Sequence, residues 1–346
     1  MFKTHFLPQL ANNLKKALAF LMLMAAVSAC RQKQAEYSEP YVCHPIDANN
    51  EIYVPLNITQ IGEKLFVTDF QGDNLILEYD LESNFTRRFA RAGNGPSEFT
   101  GPLDVWGQGQ KLFVHDRRRH RVGYFDTQNK HDQSTYAYSE LFVISNSVSL
   151  LHSINDGGFI AHGYFPEGRY ALINQSGEIV SFFGDYPDFK AGENLIPFDA
   201  KAMFHQNSFS VNLIREKAAA LSSHVLDIID FSSETPVVSK RILLTDYDYN
   251  YQSGVSVSTE LKEGYPVGAY SSITSCNDFI FFVFAPYVKG NPENIQREIH
   301  KYDWEGNLLE KRIIPCDIRF ILAANGRLEY GVANLPEPKF VYLNTD

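Results

Sequence analysis

Short apolar stretches that each end in an acidic or amide residue recur along most of the chain. Glycine, asparagine and aspartate separate these stretches, a pattern that is typical of β-strands joined by tight turns. The six clearest copies are Leu75–Asp80, Arg121–Asp126, Arg169–Asn174, Val225–Asp230, Ile299–Asp303 and Lys339–Asn344. Their last residues are 46, 48, 56, 73 and 41 positions apart. This spacing centres on the length of one four-stranded propeller blade, so the pattern predicts six blades.

The other strands of each blade can be placed around these copies. Lys64–Asp69 and Lys111–Asp116 are nearly the same hexapeptide and precede the first two copies, which predicts second strands. Four later stretches are apolar enough to form fourth, outer strands: 85–89, 178–183, 237–244 and 308–314. Aromatic residues make up 14% of the chain, which favours β-structure over a helical alternative.

The sixth blade lacks an outer strand of its own, because the last copy ends at Asn344 of 346 residues. A replacement is available near the other end of the chain in Tyr41–Leu56, where Glu51–Val54 precedes the first blade. We therefore predict an all-β, six-bladed β-propeller over residues 41–346, with four-stranded blades and a ring that an N-terminal strand closes by completing the last blade.

The stretch RAGNGPSEFTGPLDV, residues Arg91–Val105, is rich in glycine and proline. A phosphate-binding loop is one interpretation, but Pro96 has no N–H group and a strand-like segment follows where a helix is needed. The second interpretation is a joint between blades one and two. In that case the glycines allow the sharp reversal, Phe99 fills the space between blades, and Pro102 fixes the start of the inner strand.

Two resemblances follow from these motifs. Residues Gly93–Asp126 resemble one repeat of the NHL propeller family. Nearly all of 41–346 resembles the TolB-like six-bladed propeller lipoproteins of Gram-negative bacteria. That resemblance is carried by Gly93–Phe99, by Asp227–Asp230 with Ser210–Asn212 before it, and by Tyr302–Asn307. The family implies the propeller fold but no established reaction.

The first 29 residues have the pattern of a lipoprotein signal peptide. Two lysines precede the apolar run Ala17–Val27, which is too short to span a bilayer. Val27–Cys30 resembles a lipobox, which implies that Cys30 is lipidated and begins the mature chain. The polar residues 30–40 then form a flexible tether, and the protein is expected in the cell envelope, on the periplasmic side or the outer-membrane surface. An ordinary signal peptide with an incidental cysteine is the alternative.

Net charge limits the classes of partner that the chain can bind, and the cysteines bear on whether a disulfide can form. The chain has a net charge of −10, and without residues 1–29, which hold three lysines and no acids, it becomes −13. This balance argues against a nucleic-acid partner. Cys43, Cys276 and Cys316 remain in the mature chain, so one disulfide is allowed outside the cytoplasm and one thiol is left over. Their spacing fits buried small side chains better than a metal site.

Two groups of residues offer possible chemistry. The basic run Arg117–Arg121 is predicted to be a solvated turn between the second and third strands of blade two, with binding of an anionic glycan or lipid headgroup as the alternative. His115, Asp116 and His120, with Asp69, suggest a metal site. Asp69 and Asp116 occupy equivalent positions of the repeat, however, so we expect them to support turns and predict no metal.

Two long insertions, 183–206 and 247–270, carry many aromatic residues. These are Tyr186, Phe189, Tyr247, Tyr249, Tyr251, Tyr265 and Tyr270. Such rings can stack on a carbohydrate or a peptide, although insertions of this kind also simply cover the ring of blades.

The sequence favours a binding function over catalysis. The chain contains no HExxH, GxSxG or Walker sequence. We predict a binding or scaffolding module for a protein, peptide or glycan, with no cofactor and with ligand-binding residues that the sequence does not identify. The alternative is a lactonase-like propeller hydrolase or lyase with a metal at the channel mouth. Three or more His, Asp or Glu side chains converging at one mouth would favour the enzyme, and a channel lined by apolar and hydroxyl groups would favour the binding module.

Overall fold

Six sheets dominate the computed structural model of the chain: five are antiparallel and four-stranded, and the sixth consists of four antiparallel strands with the short N-terminal strand Tyr37–Ser38 paired parallel at its edge. The structure describes residues 37–46, 51–130, 136–187, 197–206, 208–222, 224–244, 249–252, 256–259, 266–288 and 296–345. The first strand of each sheet contacts the first strands of the two neighbouring sheets, and the first strand of the sixth sheet contacts that of the first. The sheets are therefore the blades of a closed ring.

The strands follow the chain in blade order. The N-terminal strands are β1 (Tyr37–Ser38) and β2 (Val42–Pro45). Blade one is β3 (Pro55–Ile61), β4 (Lys64–Asp69), β5 (Asn74–Asp80) and β6 (Thr86–Arg91). Blade two is β7 (Leu103–Gln108), β8 (Lys111–Asp116), β9 (Arg121–Lys130) and β10 (Tyr136–Val143). Blade three is β11 (Val148–Ser153), β12 (Phe159–Gly163), β13 (Tyr170–Ile173) and β14 (Ile179–Phe183), with a 3₁₀ turn at Asn155–Gly157.

An insertion precedes blade four and another follows it. Helix α1 (Phe198–Phe204) leads into β15 (Ser208–Asn212), β16 (Lys217–Leu221), β17 (Val225–Asp230) and β18 (Val237–Leu243). The hairpin β19 (Tyr249–Gln252) and β20 (Ser256–Thr259) comes next. Blade five is β21 (Pro266–Ser275), β22 (Phe279–Val288), β23 (Arg297–Asp303) and β24 (Leu308–Ile314). Blade six is β25 (Asp317–Ala324), β26 (Arg327–Asn334) and β27 (Pro338–Asn344), with β2 as its fourth strand.

The repeat in the sequence predicts these elements closely. All six copies are third strands, namely β5, β9, β13, β17, β23 and β27. The two related hexapeptides are β4 and β8 with the predicted bounds, and the four predicted outer strands are β6, β14, β18 and β24. The prediction succeeds because each blade is a local meander, so its strands lie in sequence order and short-range patterning is enough to find them.

The core lies between blades, since alternate side chains of each strand face the two neighbouring sheets. Between blades one and two, the buried cluster includes Phe66, Phe89 and Phe125. Phe99 belongs to the same cluster and is 1% exposed. The segment Arg91–Val105 runs from the outer strand of blade one to the inner strand of blade two, so it is a joint and not a phosphate-binding loop.

The N-terminal segment closes the ring as predicted, within the range Tyr41–Leu56. Strand β2 pairs antiparallel with β27, with Val42 opposite Asn344. Within that range, Glu51–Val54 is not a strand. Its Ile52 is 4% exposed and its last two backbone N–H groups donate to the buried Asp69 carboxylate. That segment is therefore used as the link into blade one.

A disulfide joins the closing strand to the blade that it completes. Cys43 of β2 is bonded to Cys316, which immediately precedes β25, across 273 residues of sequence. Cys276 is the free thiol among the described residues. Both ends of the propeller are thus held covalently at blade six.

Removing this bond should loosen the closure. A Cys43→Ser, Cys316→Ser double variant is expected to lose about 2–4 kcal/mol of unfolding free energy, because the cross-link restricts the unfolded chain over a long loop. Urea denaturation with and without reductant measures the loss. A Cys276→Ser variant is the control and should keep the reductant sensitivity of the wild type. Equal stability of the double variant and the wild type would contradict a role of the bond in closure.

The predicted signal peptide, Cys30 and residues 31–36 of the predicted tether lie outside the described residues. Within the part of the chain that the structure describes, no helix has the length and apolar character needed to cross a membrane.

Candidate functional site

In each of two blades, the turn between the second and third strands lies beside the segment that precedes the first strand of the same blade. The Phe70 N–H donates to the Val54 carbonyl at 3.0 Å, and the Tyr164 N–H donates to the Ser147 carbonyl at 2.8 Å. These turns and links therefore share one side of the ring, which we call the upper face. The turns between first and second strands lie on the opposite, lower face.

Two buried aspartates hold the upper face at blades one and two. Asp69 accepts the N–H groups of Tyr53 at 3.0 Å and Val54 at 2.8 Å. Asp116 accepts the Thr100 N–H at 2.8 Å and the Thr100 hydroxyl at 3.0 Å. Since both carboxylates are at most 1% exposed, they serve the turns and links, as their equivalent positions in the repeat predict.

The basic run at the turn of blade two binds the joint that precedes the blade. Arg119 donates from Nη1 to the Gly95 carbonyl at 2.9 Å. Arg121 donates from Nη1 to the Pro96 carbonyl at 2.7 Å and from Nη2 to the Glu98 carbonyl at 2.6 Å. The prediction of a solvated turn is therefore wrong for these two arginines. Carbonyl groups of the tight joint point at the turn because both lie on the upper face.

Arg117 and Arg118 remain exposed at the surface. Arg117 nevertheless forms a bidentate ion pair with Asp104 of β7, with Nη2 to Oδ1 at 2.7 Å and Nε to Oδ2 as the second contact. The Arg118 guanidinium lies 5.9 Å from the centre of the Phe70 ring.

Two aromatic rings with an arginine on each, and the exposed Arg117, lie at the turns of blades one and two and at the link into blade one. Tyr53 is 48% and Phe70 is 41% exposed. The Arg88 guanidinium lies 5.3 Å from the Tyr53 ring and donates to the buried Asp69 carboxylate at 2.8 Å. We call this surface the aromatic–arginine patch, and its members are Tyr53, Phe70, Arg88, Arg117 and Arg118.

Acidic groups border the patch and also lie beneath it. Glu51 and Asp73 are exposed at its edge. A hydrogen bond to Glu51 raises the pKa of the Tyr53 hydroxyl. Asp69 and Asp104 are buried below and are paired with Arg88 and Arg117, so those two guanidinium groups are held in place by internal carboxylates. Such support keeps the patch rigid.

His115 lies at the end of β8 just below the patch and is fully buried. Its Nδ1 is 3.9 Å from the Asp104 carboxylate, and neither ring nitrogen has a hydrogen-bond partner among the described residues. Burial, with smaller contributions from Arg117 and His120, lowers the pKa of His115 to about 3. Burial also raises the pKa of the Asp104 carboxyl, although the positive charge of Arg117 acts in the opposite direction and lowers it. The imidazole is therefore neutral at physiological pH.

Of the residues that suggested a metal site, the two aspartates have other partners, whereas both ring nitrogens of His115 and Nδ1 of His120 have no hydrogen-bond partner among the described residues. Asp69 and Asp116 bind backbone N–H groups, and His115 faces the Asp104–Arg117 pair. In the described ranges, the structure brings together no group of three or more His, Cys, Asp or Glu side chains that could hold a metal ion.

The buried imidazole predicts a pH dependence of stability. Because the unfolded chain takes up a proton near pH 6.5 and folded His115 does so only near pH 3, unfolding free energy falls as pH decreases between these values. Between pH 7 and pH 5, a His115→Leu variant should lose about 2 kcal/mol less unfolding free energy than the wild type loses. Leucine is chosen because Leu221 occupies the equivalent register position in blade four. Identical acid slopes in urea denaturation of variant and wild type would contradict a buried, neutral His115.

Contacts between inner strands at the hub use hydroxyl and amide groups. The Trp106 indole N–H donates to the Ser153 hydroxyl at 2.8 Å, and the Ser210 and Ser275 hydroxyls are 2.8 Å apart. Further contacts of this type join Asn57 to Val105, Thr59 to Gly107, Ser272 to Ile321 and Thr274 to Ala323. His152 stacks on Trp106 at 5.0 Å, and burial lowers its pKa to about 4.

The insertion before blade four covers the ring in its described part. Tyr186 packs edge-on against Phe198 of α1 at 5.8 Å, and its hydroxyl donates to the Gly163 carbonyl at 3.3 Å. Burial raises the pKa of Tyr186 to about 12. This tyrosine is therefore a packing residue. The other candidate rings cannot be placed in this way: Phe189, Tyr247 and Tyr265 lie outside the described residues, as do the side chains of Tyr249, Tyr251 and Tyr270.

Sequence reasoning did not identify a buried ionic cluster between blades three and four. Asp227 of β17 is fully buried and binds Arg169 at 2.8 Å, Arg241 at 2.7 Å and the Tyr170 hydroxyl at 2.8 Å. The available signal was an aspartate inside the apolar run Val225–Ile229. Its partners come from the start of β13 (Tyr170 and the preceding Arg169) and from β18 (Arg241), which local patterning does not connect.

Six four-stranded blades around a hub, with an N-terminal strand completing the last blade, define a six-bladed β-propeller. The chain belongs to the TolB-like six-bladed propeller family, since the family model described as TolB-like 6-blade propeller-like matches residues 42–321. No curated protein sequence matches the chain.

Solved structures with the same fold have little sequence in common with this chain. A putative exported protein from Bacteroides fragilis is 12% identical with a TM-score of 0.55, over 91% of this chain and 96% of that one. A calcium-binding protein, regucalcin, from Agrobacterium tumefaciens is 12% identical with a TM-score of 0.51, over 89% and 95%. A luciferin-regenerating enzyme is 10% identical with a TM-score of 0.51, over 88% and 95%. These similarities concern the fold alone.

Proposed function

We propose that the protein is a lipid-anchored, extracytoplasmic binding module whose aromatic–arginine patch binds a protein or peptide. The patch itself is the observation that carries this proposal. Aromatic residues and arginine are enriched at protein interfaces and supply most of their hot spots. Buried carboxylates hold Arg88 and Arg117 in fixed positions, which reduces the conformational entropy lost on binding.

The composition of the patch favours an acidic segment as the ligand. Two of the three arginines of the patch, Arg88 and Arg117, are paired with the buried carboxylates Asp69 and Asp104, so Arg118 is the cation of the patch that has no such partner. Arg118 has no carboxylate among its described contacts and stacks on Phe70, which leaves its N–H groups for a ligand carboxylate. An acidic residue next to an apolar one would satisfy both members of this pair.

The hub contacts support binding rather than catalysis. A metal-dependent hydrolase or lyase of the propeller type needs several acidic or histidine side chains around one mouth. In the described inner strands, the contacts between neighbouring blades are made by hydroxyl and amide groups.

Lipid anchoring and the cell-envelope location complete the proposal. Residues 1–29 act as the signal peptide, Cys30 carries the lipid, and 30–40 form the tether. The Cys43–Cys316 disulfide supports an oxidising compartment. Mass spectrometry of the mature N-terminus should show a lipid-modified Cys30, and a Cys30→Ser variant should lose it. An unmodified N-terminus in the wild type would overturn the anchoring without affecting the patch.

Binding can be tested with the full mature chain in detergent and an array of peptides that pair one aromatic or aliphatic residue with one to three acidic residues. We expect saturable binding of acidic peptides that exceeds binding of their amide counterparts, in which Asp and Glu are replaced by Asn and Gln. A Phe70→Ala, Arg118→Ala double variant should weaken this binding at least tenfold while its thermal stability remains close to that of the wild type.

A matched control comes from the same kinds of residue elsewhere. Phe85 is 55% exposed in the turn between the third and fourth strands of blade one, and Arg215 is exposed in the turn between the first and second strands of blade four. The Phe85→Ala, Arg215→Ala double variant should bind the peptides as the wild type does. Equal weakening in both double variants, or none in either, would overturn the patch as the binding site.

A further inference from the structure

A pocket of about 190 Å³ opens between the outer parts of blades five and six. It is distinct from the aromatic–arginine patch, because it is bordered by the turn between the first and second strands of blade six, on the lower face. Its walls combine cations, one carboxylate and aromatic rings.

Strand alternation places the polar residues of the pocket. Lys301 of β23 faces blade six, as does Ile299 of the core cluster between the two blades. On β24, Glu310 and Arg312 point to the same side of the strand as Ile314, which belongs to the same core cluster. These side chains extend the apolar cluster outwards into a polar cleft.

Blade six and the N-terminal segment supply the other walls. Arg327 begins β26 directly after the turn, and Tyr342 lies on β27. Tyr41 is held over blade five by its N–H, which donates to the Ile313 carbonyl at 2.9 Å. The Arg312 guanidinium lies 5.5 Å from the Tyr41 ring. The pocket is therefore complete only when the N-terminal segment is docked on the ring.

Positive charge exceeds negative charge around the pocket. The lining includes Lys301, Arg312 and Arg327 but, of the acidic residues, only Glu310 among the described positions. Glu310 is 2.5 Å from Arg312 and 3.8 Å from Lys301, and Glu329 lies 3.2 Å from Arg327 outside the lining. Among the described residues, the three cations thus face two carboxylates, which leaves one positive charge in excess. An anionic group is the complementary ligand.

The size and the apolar wall restrict what carries that anion. Sites for drug-sized ligands measure roughly 300–1,000 Å³, so this pocket fits a group about the size of one ring. Phe281, Leu328 and Tyr41, which are 2%, 3% and 8% exposed, reach the pocket with their edges, and the body of the ligand can pack against these edges. The Glu310 carboxylate can accept hydrogen bonds from hydroxyl groups of a ligand, and the Tyr342 hydroxyl can donate to them or accept from them.

We propose that this pocket binds a single acidic sugar residue. The sugar carboxylate pairs with Lys301 and Arg327, the ring packs on the apolar wall, and its hydroxyl groups bond to Glu310 and Arg312. Lys301 and Arg312 are 25% and 21% exposed, so both are accessible to a ligand while partly shielded from solvent. The pocket accepts either a free sugar acid or the terminal acidic residue of a glycan, since both present the same chemistry.

Isothermal titration of the full mature chain tests the proposal, with glucuronate as the probe. We expect saturable binding of glucuronate, weaker binding of glucose by at least tenfold, and no saturable binding of acetate at the same concentrations. An oligosaccharide that ends in glucuronate distinguishes the two sources: tighter binding than the monosaccharide identifies a glycan end, and equal binding identifies the free acid. Absence of saturable glucuronate binding, or equal binding of glucose or acetate, would overturn the proposal.

Variants locate the site. Lys301→Met should reduce glucuronate affinity at least tenfold with little change in melting temperature, because Lys301 is partly exposed. Lys311→Met is the matched control, since Lys311 points to the opposite side of β24 from Glu310 and Arg312 and should leave binding unchanged. The Phe70→Ala, Arg118→Ala variant should also retain glucuronate binding, so failure of the patch proposal and failure of this one can be told apart. Wild-type affinity in Lys301→Met would exclude this pocket.

Discussion

A Phe99→Ala variant is expected to lose about 3–5 kcal/mol of unfolding free energy, because truncation leaves a cavity in a closed core. Phe99 is 1% exposed and lies 5.7 Å from the Phe125 ring and 5.1 Å from the Tyr138 ring. The Arg121 guanidinium covers its other side at 5.0 Å. Urea denaturation followed by circular dichroism measures the loss.

The same variant also tests whether the joint contacts the ligand of the aromatic–arginine patch. Phe85→Ala is the control, since Phe85 is 55% exposed and its truncation should cost well under 1 kcal/mol. Under conditions where Phe99→Ala is folded, its affinity for peptides that bind the aromatic–arginine patch should equal that of the wild type. A variant of full stability that has lost binding would show that the joint contacts the ligand directly.

An Asp227→Asn variant is expected to lose a similar amount, about 3–5 kcal/mol, because it breaks a buried ion pair by removing one partner. Asp227 is fully buried and balances Arg169, which is 1% exposed, and Arg241. Asparagine keeps the volume of the side chain and removes the charge. The measurement is again the free energy of unfolding in urea.

Asp230 provides a matched control on the same strand. It lies at the end of β17, and its carboxylate accepts hydrogen bonds from the N–H and hydroxyl groups of Ser232 at the surface. Asp230→Asn should cost about 1 kcal/mol or less, since water replaces the lost interactions. If the two variants lost equal stability, the buried cluster would not be a major contributor to the stability of the fold.

The strands could be predicted because each blade is built from neighbours in sequence. The hexapeptides Lys64–Asp69 and Lys111–Asp116 repeat the same alternation and end in the same aspartate, and both fold as second strands with those bounds. The aspartate could be assigned to the turn for the same reason. In contrast, Glu51–Val54 has the composition of a strand, yet the strand that closes the ring is Val42–Pro45.

The candidate site could be predicted only in part. The sequence drew attention to Arg117–Arg121, but it did not show that Arg119 and Arg121 bind the carbonyl groups of the joint, or that Arg118 lies on Phe70. Phe70 and Arg118 come from turns of different blades, 48 residues apart. Their contact depends on the angle between blades, which no local pattern encodes.

The sequence by itself therefore determined the fold class, the number and order of the blades and the identity of the joint, because strand alternation and turn chemistry act over a few residues. Only the tertiary structure decided which N-terminal residues close the ring, which two cysteines pair, and which side chains meet on the upper face and in the pocket of blades five and six. Those contacts join residues that are far apart in the chain, and packing of one blade against the next brings them together.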